Sequence, residues 1–229
     1  MTRKIQRKSS KEIKSLLIAM LIGDGTISNN YVFKLSHSSP QLEYLNWKID
    51  LLNSFNIKNN GLKTYTSSCG FNKGSEVLYS QLSVISIIKA LRRTVYIPKK
   101  IITRKLLNWL TPQGVAIWYM DDGHININES IQRGNSVQHT VKISTCVTEE
   151  SVEEIIKYFD EVWDIHMRKM KEKVFYSIST STEKDCFKFL ELVKPYVEQV
   201  PSLLYKTRIS GTKEEFKLKQ SSETRDSNN

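Results

Sequence analysis

The fold is decided by residues 17–25, LIAMLIGDG, which are answered at 115–123 by VAIWYMDDG. Each stretch is an apolar run of helical length that closes on Asp-Gly. The closing acids, Asp24 and Asp122, stand 98 residues apart in a chain of 229. One such element near the start of each half indicates two related halves that meet at these helices. Gly25 and Gly123 are expected to stop the helices, because glycine enters the left-handed region without a Cβ penalty. That places Asp24 and Asp122 in the last helical turns.

A carboxylate in that position faces the negative end of the helix dipole, at a cost of roughly 0.3–1 kcal/mol. Two parallel helices packed side by side also bring the acids together. At ~5 Å and an effective dielectric of ~20, the repulsion is about 3 kcal/mol. Such an arrangement asks for a cation, and oxygen-only ligation favours a hard one such as Mg²⁺. Asp-Gly alone is a common turn dipeptide. Its repetition half a chain apart carries the weight.

The two stretches resemble the paired motifs of single-chain LAGLIDADG homing endonucleases. Aligned on Asp-Gly, Asp24 and Asp122 fall on that family's metal-binding acidic position. Ala19 and Gly23 occupy the positions where small residues let the helices approach. The second copy has Ile117 and Asp121 there, with Trp118 and Tyr119 between, and so leaves two adjacent acids. Asp122 is favoured as the metal ligand by its adjacency to Gly123. The context LTPQGVAIWYMDDGH, and VPSLLYK near the end, also resemble the family, over roughly residues 10–210.

Composition agrees with an anionic partner. The net charge is +10 and the isoelectric point about 9.4, which makes nucleic acid the leading candidate. Hydrophobic content of 39% and aromatic content of 10% indicate a folded chain. Cys69, Cys146 and Cys186 are far apart, without a CxxC, and read as reduced and incidental. The four histidines show no metal-ligand spacing. The longest apolar run, 16–22, is too short to cross a bilayer. The N-terminus is basic without a signal peptide's pattern. These features fit an intracellular, non-secreted protein, and the abundance of Lys, Asn and Ile hints at an AT-rich genome, hence an organelle (mitochondrion or chloroplast) or bacterial or phage cytoplasm.

Taken in order, the chain reads as two αββαββα halves, an α+β fold. The first half is 1–93: a helix over 10–24, a hairpin over 26–36, and a helix begun at Ser38-Ser39-Pro40 with Leu42, Leu45, Ile49 and Leu52 on one face. Strands at 60–68 and 76–83 and a helix over 83–92 complete it. Residues 94–110 connect the halves, as a solvated linker or a phosphate-contacting segment. The second half, 111–210, opens at Thr111-Pro112, a cap followed by proline at the first helical position. It repeats the order with strands at 125–131 and 137–146, a helix from Thr148, a strand pair over 165–180 and a helix over 181–192. The tail, 211–229, is polar and expected to be disordered.

The resemblance implies two pseudo-symmetric halves forming a saddle of antiparallel sheets, joined at the parallel motif helices. A β-ribbon fits the DNA major groove, where all four base pairs can be told apart. A fused chain need not read a palindrome. Asp24 and Asp122 would bind Mg²⁺, in two or three divalent ions, near one scissile phosphate on each strand. Mn²⁺ is expected to substitute, and Ca²⁺ to bind without supporting cleavage. The main-chain carbonyls of Gly23 and Asp121 complete the metal shell in this reading. Lys206 is the third catalytic candidate, orienting water or balancing transition-state charge. Candidate DNA contacts are Lys34, Ser36, His37, Lys63, Lys73, Arg93, Lys99, Lys100 and Arg104. In the second half they are Arg133, His139, Lys142, Lys169, Lys171 and Lys173. The expected activity is a metal-dependent double-strand break in a long asymmetric DNA target, serving intron or gene mobility, by a monomer. The alternatives are an intron maturase that binds its own intron RNA on the same scaffold, and a non-catalytic DNA-binding protein.

Overall fold

A computed structural model describes residues 10–68, 73–83, 85–95, 101–130 and 136–209. The first half runs α1 (Ser10–Ile22), β1 (Thr26–Ile27), β2 (Phe33–Ser38), α2 (Leu42–Ser54), β3 (Lys63–Thr66), β4 (Glu76–Leu82) and α3 (Ser86–Val95). A short helix, α4 (Arg104–Leu107), lies in the connector. The second half repeats the series as α5 (Pro112–Asp122), β5 (Gly123–Ser130), β6 (Ser136–Val147), α6 (Glu149–Trp163), β7 (Met167–Glu172), β8 (Phe175–Thr180) and α7 (Glu183–Val197). A 3₁₀ helix, Pro201–Lys206, follows. Each half holds a four-stranded antiparallel sheet, in orders β1-β2-β4-β3 and β5-β6-β8-β7. Equal strand order in equal sequence order is the duplication made visible.

The two motif helices are at the centre. α1 is buried continuously from Ser15 to Ile22, and α5 from Gly114 to Met120. A helix buried all round sits inside a protein, while one with a single apolar stripe lies at its edge. The two run parallel. Near their starts, the Thr111 amide donates to Ser15 Oγ at 2.9 Å. At their ends, the Asp24 amide donates to Asp121 Oδ2 at 3.2 Å. A Cβ on Gly114 would lie 2.3 Å from Ser15 Oγ, so glycine there sets the closeness of the helices.

Outside this pair, single-faced elements cover the core. α2 buries Tyr44, Leu45, Lys48, Ile49 and Leu52; α6 buries Ser151, Val152, Ile155, Tyr158 and Phe159. On β2, Phe33, Leu35 and His37 are buried while Lys34 and Ser36 lie on the other face, the period of two for a sheet covered on one side. The register places Ser36 opposite Tyr79 and Lys34 opposite Gln81.

Three expectations are corrected. α1 ends at Ile22, so Asp24 lies just beyond the helix; Asp122 is the last residue of α5. Neither terminal glycine is left-handed: Gly123 is extended at φ −97° and ψ 155°, and positive φ among the described glycines occurs at Gly61 and Gly74. Glycine is required for space instead. A Cβ on Gly25 would lie 2.4 Å from the Met20 carbonyl oxygen, and one on Gly123 1.9 Å from Tyr119 Cδ2. The connector, finally, is no solvated linker where described, because Ile102, Leu106, Leu107 and Leu110 are buried in the common core.

Gly114→Val tests the helix junction. Overpacking at such a contact costs about 1–3 kcal/mol, read as a lower urea midpoint at unchanged slope. Adding Ser15→Gly is expected to recover part of the loss.

Candidate active site at the junction of the halves

The ends of α1 and α5 converge on a cluster of acids and lysines. Beyond α1 the chain turns: the Gly25 amide, not that of Asp24, donates to the Met20 carbonyl, at 2.7 Å. The Asp24 amide is thereby diverted out of the helix and captured by Asp121 of the other half. The Asp24 carboxylate is partly open, with its side chain 36% exposed. It faces a hollow lined also by Ser36, His37, Gln41, Tyr65 and Glu76.

Asp121 is different. Its side chain is 0% exposed, and the accessible part of the residue is main chain. Oδ1 accepts from the Lys48 ammonium at 2.5 Å and the Tyr44 hydroxyl at 2.7 Å, while Oδ2 accepts from the Asp24 amide. Burial and the neighbouring Asp121 charge together raise the Tyr44 hydroxyl well above its ordinary pKa, so it stays a donor. Lys48, also 0% exposed, reaches His37 Nε2 at 3.1 Å. Burial, reinforced by Lys48, lowers the His37 pKa to about 4. The imidazole is therefore neutral near pH 7, and its 3.5 Å approach to Asp24 Oδ2 is a polar contact rather than an ion pair.

Lys206 closes the cluster from the 3₁₀ helix. Its ammonium donates to the carbonyls of Met120 and Gly123, at 2.6 and 2.9 Å. It thus caps the negative end of α5, the favourable place for a cation. Burial lowers its pKa, opposed by Asp121, Asp24 and Asp122 in that order. The Tyr119 hydroxyl donates to the Lys206 carbonyl and holds the segment in place.

These surroundings decide which groups suit a metal. Ligand atoms of Asp24, His37 and Asp121 lie within 4.8 Å of one another. The Lys48 ammonium already sits against two of the three; it neutralises the Asp121 carboxylate, which also accepts from the Tyr44 hydroxyl. The hard oxygen donors outside this ion pair are the Asp24 carboxylate and that of Asp122, half-buried at the end of α5.

The other predicted residues are scattered. Lys34 lies on the open face of the first sheet, with Nζ 4.1 and 4.6 Å from the Tyr65 and Tyr79 rings. Ser36 shares that face, Lys63 pairs opposite Tyr79, and Lys73 and Arg93 are exposed. His37 and His139 are instead buried beneath their sheets, His139 against Glu183 at 2.9 Å. Lys169 turns toward α6, where it binds Glu149 and Glu153; Lys171, on the same side of β7, is exposed. Arg104 binds Glu161 at 2.6 Å and ties the connector to α6. Lys142 pairs with Glu172. Lys173 stands at the exposed turn between β7 and β8, with φ 49°. Lys99, Lys100 and Arg133 lie outside the described residues. Lys48, Tyr44 and Gln41 were not anticipated. The one signal was a lysine on the otherwise apolar stripe of α2.

The sequence profile of the LAGLIDADG DNA endonuclease family matches residues 14–187, and the chain belongs to that family. Among solved structures, the homing endonuclease I-WcaI bound to its DNA recognition sequence superposes with a TM-score of 0.70 at 19% identity, covering 88% of each chain. I-SmaMI bound to cleaved DNA gives 0.50 at 11% identity, covering 80% of this chain and 82% of that one. Both likenesses concern the fold, a pair of four-stranded antiparallel sheets arranged as a saddle. Among curated proteins, RecA of Mycolicibacterium flavescens is 29% identical over 203 residues, and RecA of Mycolicibacterium chitae 28% identical over 203. These matches cover 83% of this chain and 45% of each relative, so the chain spans less than half their length. Among the described residues, no helix is long and apolar enough to cross a membrane.

A pH prediction follows from His37. Its folded pKa lies below the unfolded value, so the unfolded state binds the proton more readily between pH ~6.5 and ~4. Stability of the metal-free protein is expected to be complete above pH ~6.5 and to fall as pH drops toward ~4, by up to about 3 kcal/mol. Urea denaturation across that range, with His37→Asn as the flattened control, checks it.

Proposed function

We propose that this chain is a site-specific endonuclease that makes a metal-dependent double-strand break in a long, asymmetric DNA target. The observation that carries the reading is the gathering of Asp24, Asp122 and Lys206 where two parallel helices end between two sheets. The residue types suit phosphodiester hydrolysis. Bound at Asp24 and Asp122, a divalent ion would lower the pKa of water and stabilise the departing 3′ oxygen. Main-chain carbonyls of Gly23 and Asp121 remain candidates for its shell. Lys206, held against α5, balances charge developing on the phosphate. Mg²⁺ is the proposed ion, with Mn²⁺ as substitute.

The open faces supply recognition. On the first sheet, Lys34, Ser36, Lys63, Tyr65, Tyr79 and Gln81 offer donors and aromatic edges suited to base edges in a major groove. On the second, Arg168, Met170 and Lys142 are the counterparts. Two unlike faces would read two unlike half-sites. Exposed Lys73, Arg93 and Lys173 are proposed to contact phosphates, which position the duplex without reading it. A single chain with both halves needs no partner copy, so a monomer is proposed.

The test is cleavage of supercoiled plasmids carrying the uninterrupted sequence of the gene in which this reading frame resides. The unaltered protein is expected to give linear product with Mg²⁺ or Mn²⁺ and none with Ca²⁺. Asp24→Asn and Asp122→Asn are each expected to lower double-strand cleavage by at least about 10²-fold, the range found when a group stabilising transition-state charge is removed. Binding in Ca²⁺ without cleavage in Mg²⁺ or Mn²⁺ would move the assignment to a DNA-binding protein. Preference for the intron RNA over the duplex would move it to a maturase.

A further inference from the structure

We infer that Asp121 is a positioning residue: its buried carboxylate, held by Lys48, reaches across the junction of the halves to fix the main chain of Asp24, so the two halves present unequal sites. The effect on strand cutting rests on the nuclease reading; the contact itself does not.

The inference begins with symmetry. In a duplicated chain, a position on the pseudo-two-fold axis meets its own counterpart, as in an isologous dimer. Asp121 and Gly23 are such a pair, 98 residues apart like Asp24 and Asp122. A Cβ on Gly23 would lie 2.2 Å from Asp121 Oδ2 and 2.8 Å from Asp121 Cβ. There is room for one side chain at this point, and the second half supplies it. The equality of the halves is therefore broken on the axis itself, beside the candidate metal ligands.

The supporting charge is also one-sided. The Lys48 ammonium gives one hydrogen bond to Asp121 Oδ1 and one to His37 Nε2. Since Nε2 accepts, the hydrogen of the neutral ring lies on Nδ1. Nδ1 faces Gln41 Oε1 at 3.2 Å and Asp24 Oδ2 at 3.5 Å. One lysine thus holds Asp121 against the Asp24 amide and orients the His37 ring beside the Asp24 carboxylate. α6, the counterpart of α2, buries Ser151, Val152, Ile155, Tyr158 and Phe159, and no lysine. A buried carboxylate needs its partner, because either one left alone is an uncompensated charge.

The experiment uses the full chain with Asp121→Ala, Lys48→Met and the paired change Asp121→Asn/Lys48→Met. The first readout is hydrogen exchange of the Asp24 amide by NMR, which needs neither DNA nor metal. Exchange is expected to be slow in the unaltered protein and at least about tenfold faster in Asp121→Ala and Lys48→Met. The paired change should restore protection, because asparagine keeps an acceptor oxygen and no ammonium is left unpaired. The second readout is strand-specific cutting of end-labelled duplex, with the strand served by Asp24 identified from Asp24→Asn. Both single changes should slow that strand at least about tenfold relative to the other.

Equal slowing of both strands, with the Asp24 amide unaffected, would reduce the pair to a stability role and overturn the inference. Equal exchange in the unaltered protein and Asp121→Ala would overturn it whatever cleavage shows. Should Asp121→Ala fail to fold, Lys48→Met against the paired change supplies the same comparison. If the unaltered protein cuts neither strand, the nuclease reading fails by itself, and the exchange result still decides the contact.

Discussion

The close approach of α1 and α5 is the constraint on which the rest depends. Helices buried on every side cannot be spaced by solvent, so side-chain volume along the seam sets their separation. At the start, Ser15, Thr111 and Gly114 interlock. At the end, Gly23 gives way to Asp121. Between them lie aliphatic and aromatic residues, of which Tyr119 turns its hydroxyl to the Lys206 carbonyl. The sheets, the outer helices and the connector all pack around this pair, and the spacing of the candidate catalytic acids is set by it.

That seam concentrates charge where burial makes charge expensive. Three carboxylates meet there, and two buried lysines answer them in different ways. Lys48 neutralises Asp121 directly and withdraws it from ligand duty. Lys206 binds main-chain carbonyls at the end of α5, which counters the helix dipole while keeping a positive charge near Asp24 and Asp122. The outcome is a division of labour among neighbouring acids that differ little in sequence. One is a structural anion, and the other two are the proposed ligands of a divalent ion.

The duplication is preserved in topology and lost in chemistry. Strand order, helix order and the Asp-Gly closures repeat, because each half must build the same layer of sheet on helix. The polar cluster under the first sheet does not repeat. Self-contact on the axis explains why. A side chain there excludes its own counterpart, so a fused chain can place an acid on one side only if the other side is glycine. A symmetric dimer has no such choice.

Much of this was legible from residue order. Repeated apolar runs closing on Asp-Gly marked the two central helices, and Leu42, Leu45, Ile49 and Leu52 marked the face that α2 turns inward. That is a local signal, since periodicity reports which face is buried. What escaped was set by contacts between distant segments. The glycines after Asp24 and Asp122 are there for Met20, Phe33 and Tyr119 to come close, which no dihedral rule foretells. The histidines chosen as DNA contacts proved buried, because the phase of a strand is fixed only when a helix covers one face. Lys48 and Asp121 give no sign of each other in the sequence: one is a lysine on an apolar stripe, the other an acid at a packing position. The sequence by itself determined two halves, their shared fold and the pair of closing acids. Tertiary structure alone decided that Lys48 and Asp121 are partners, because a buried ion is tolerable only where the fold brings its opposite within hydrogen-bonding reach.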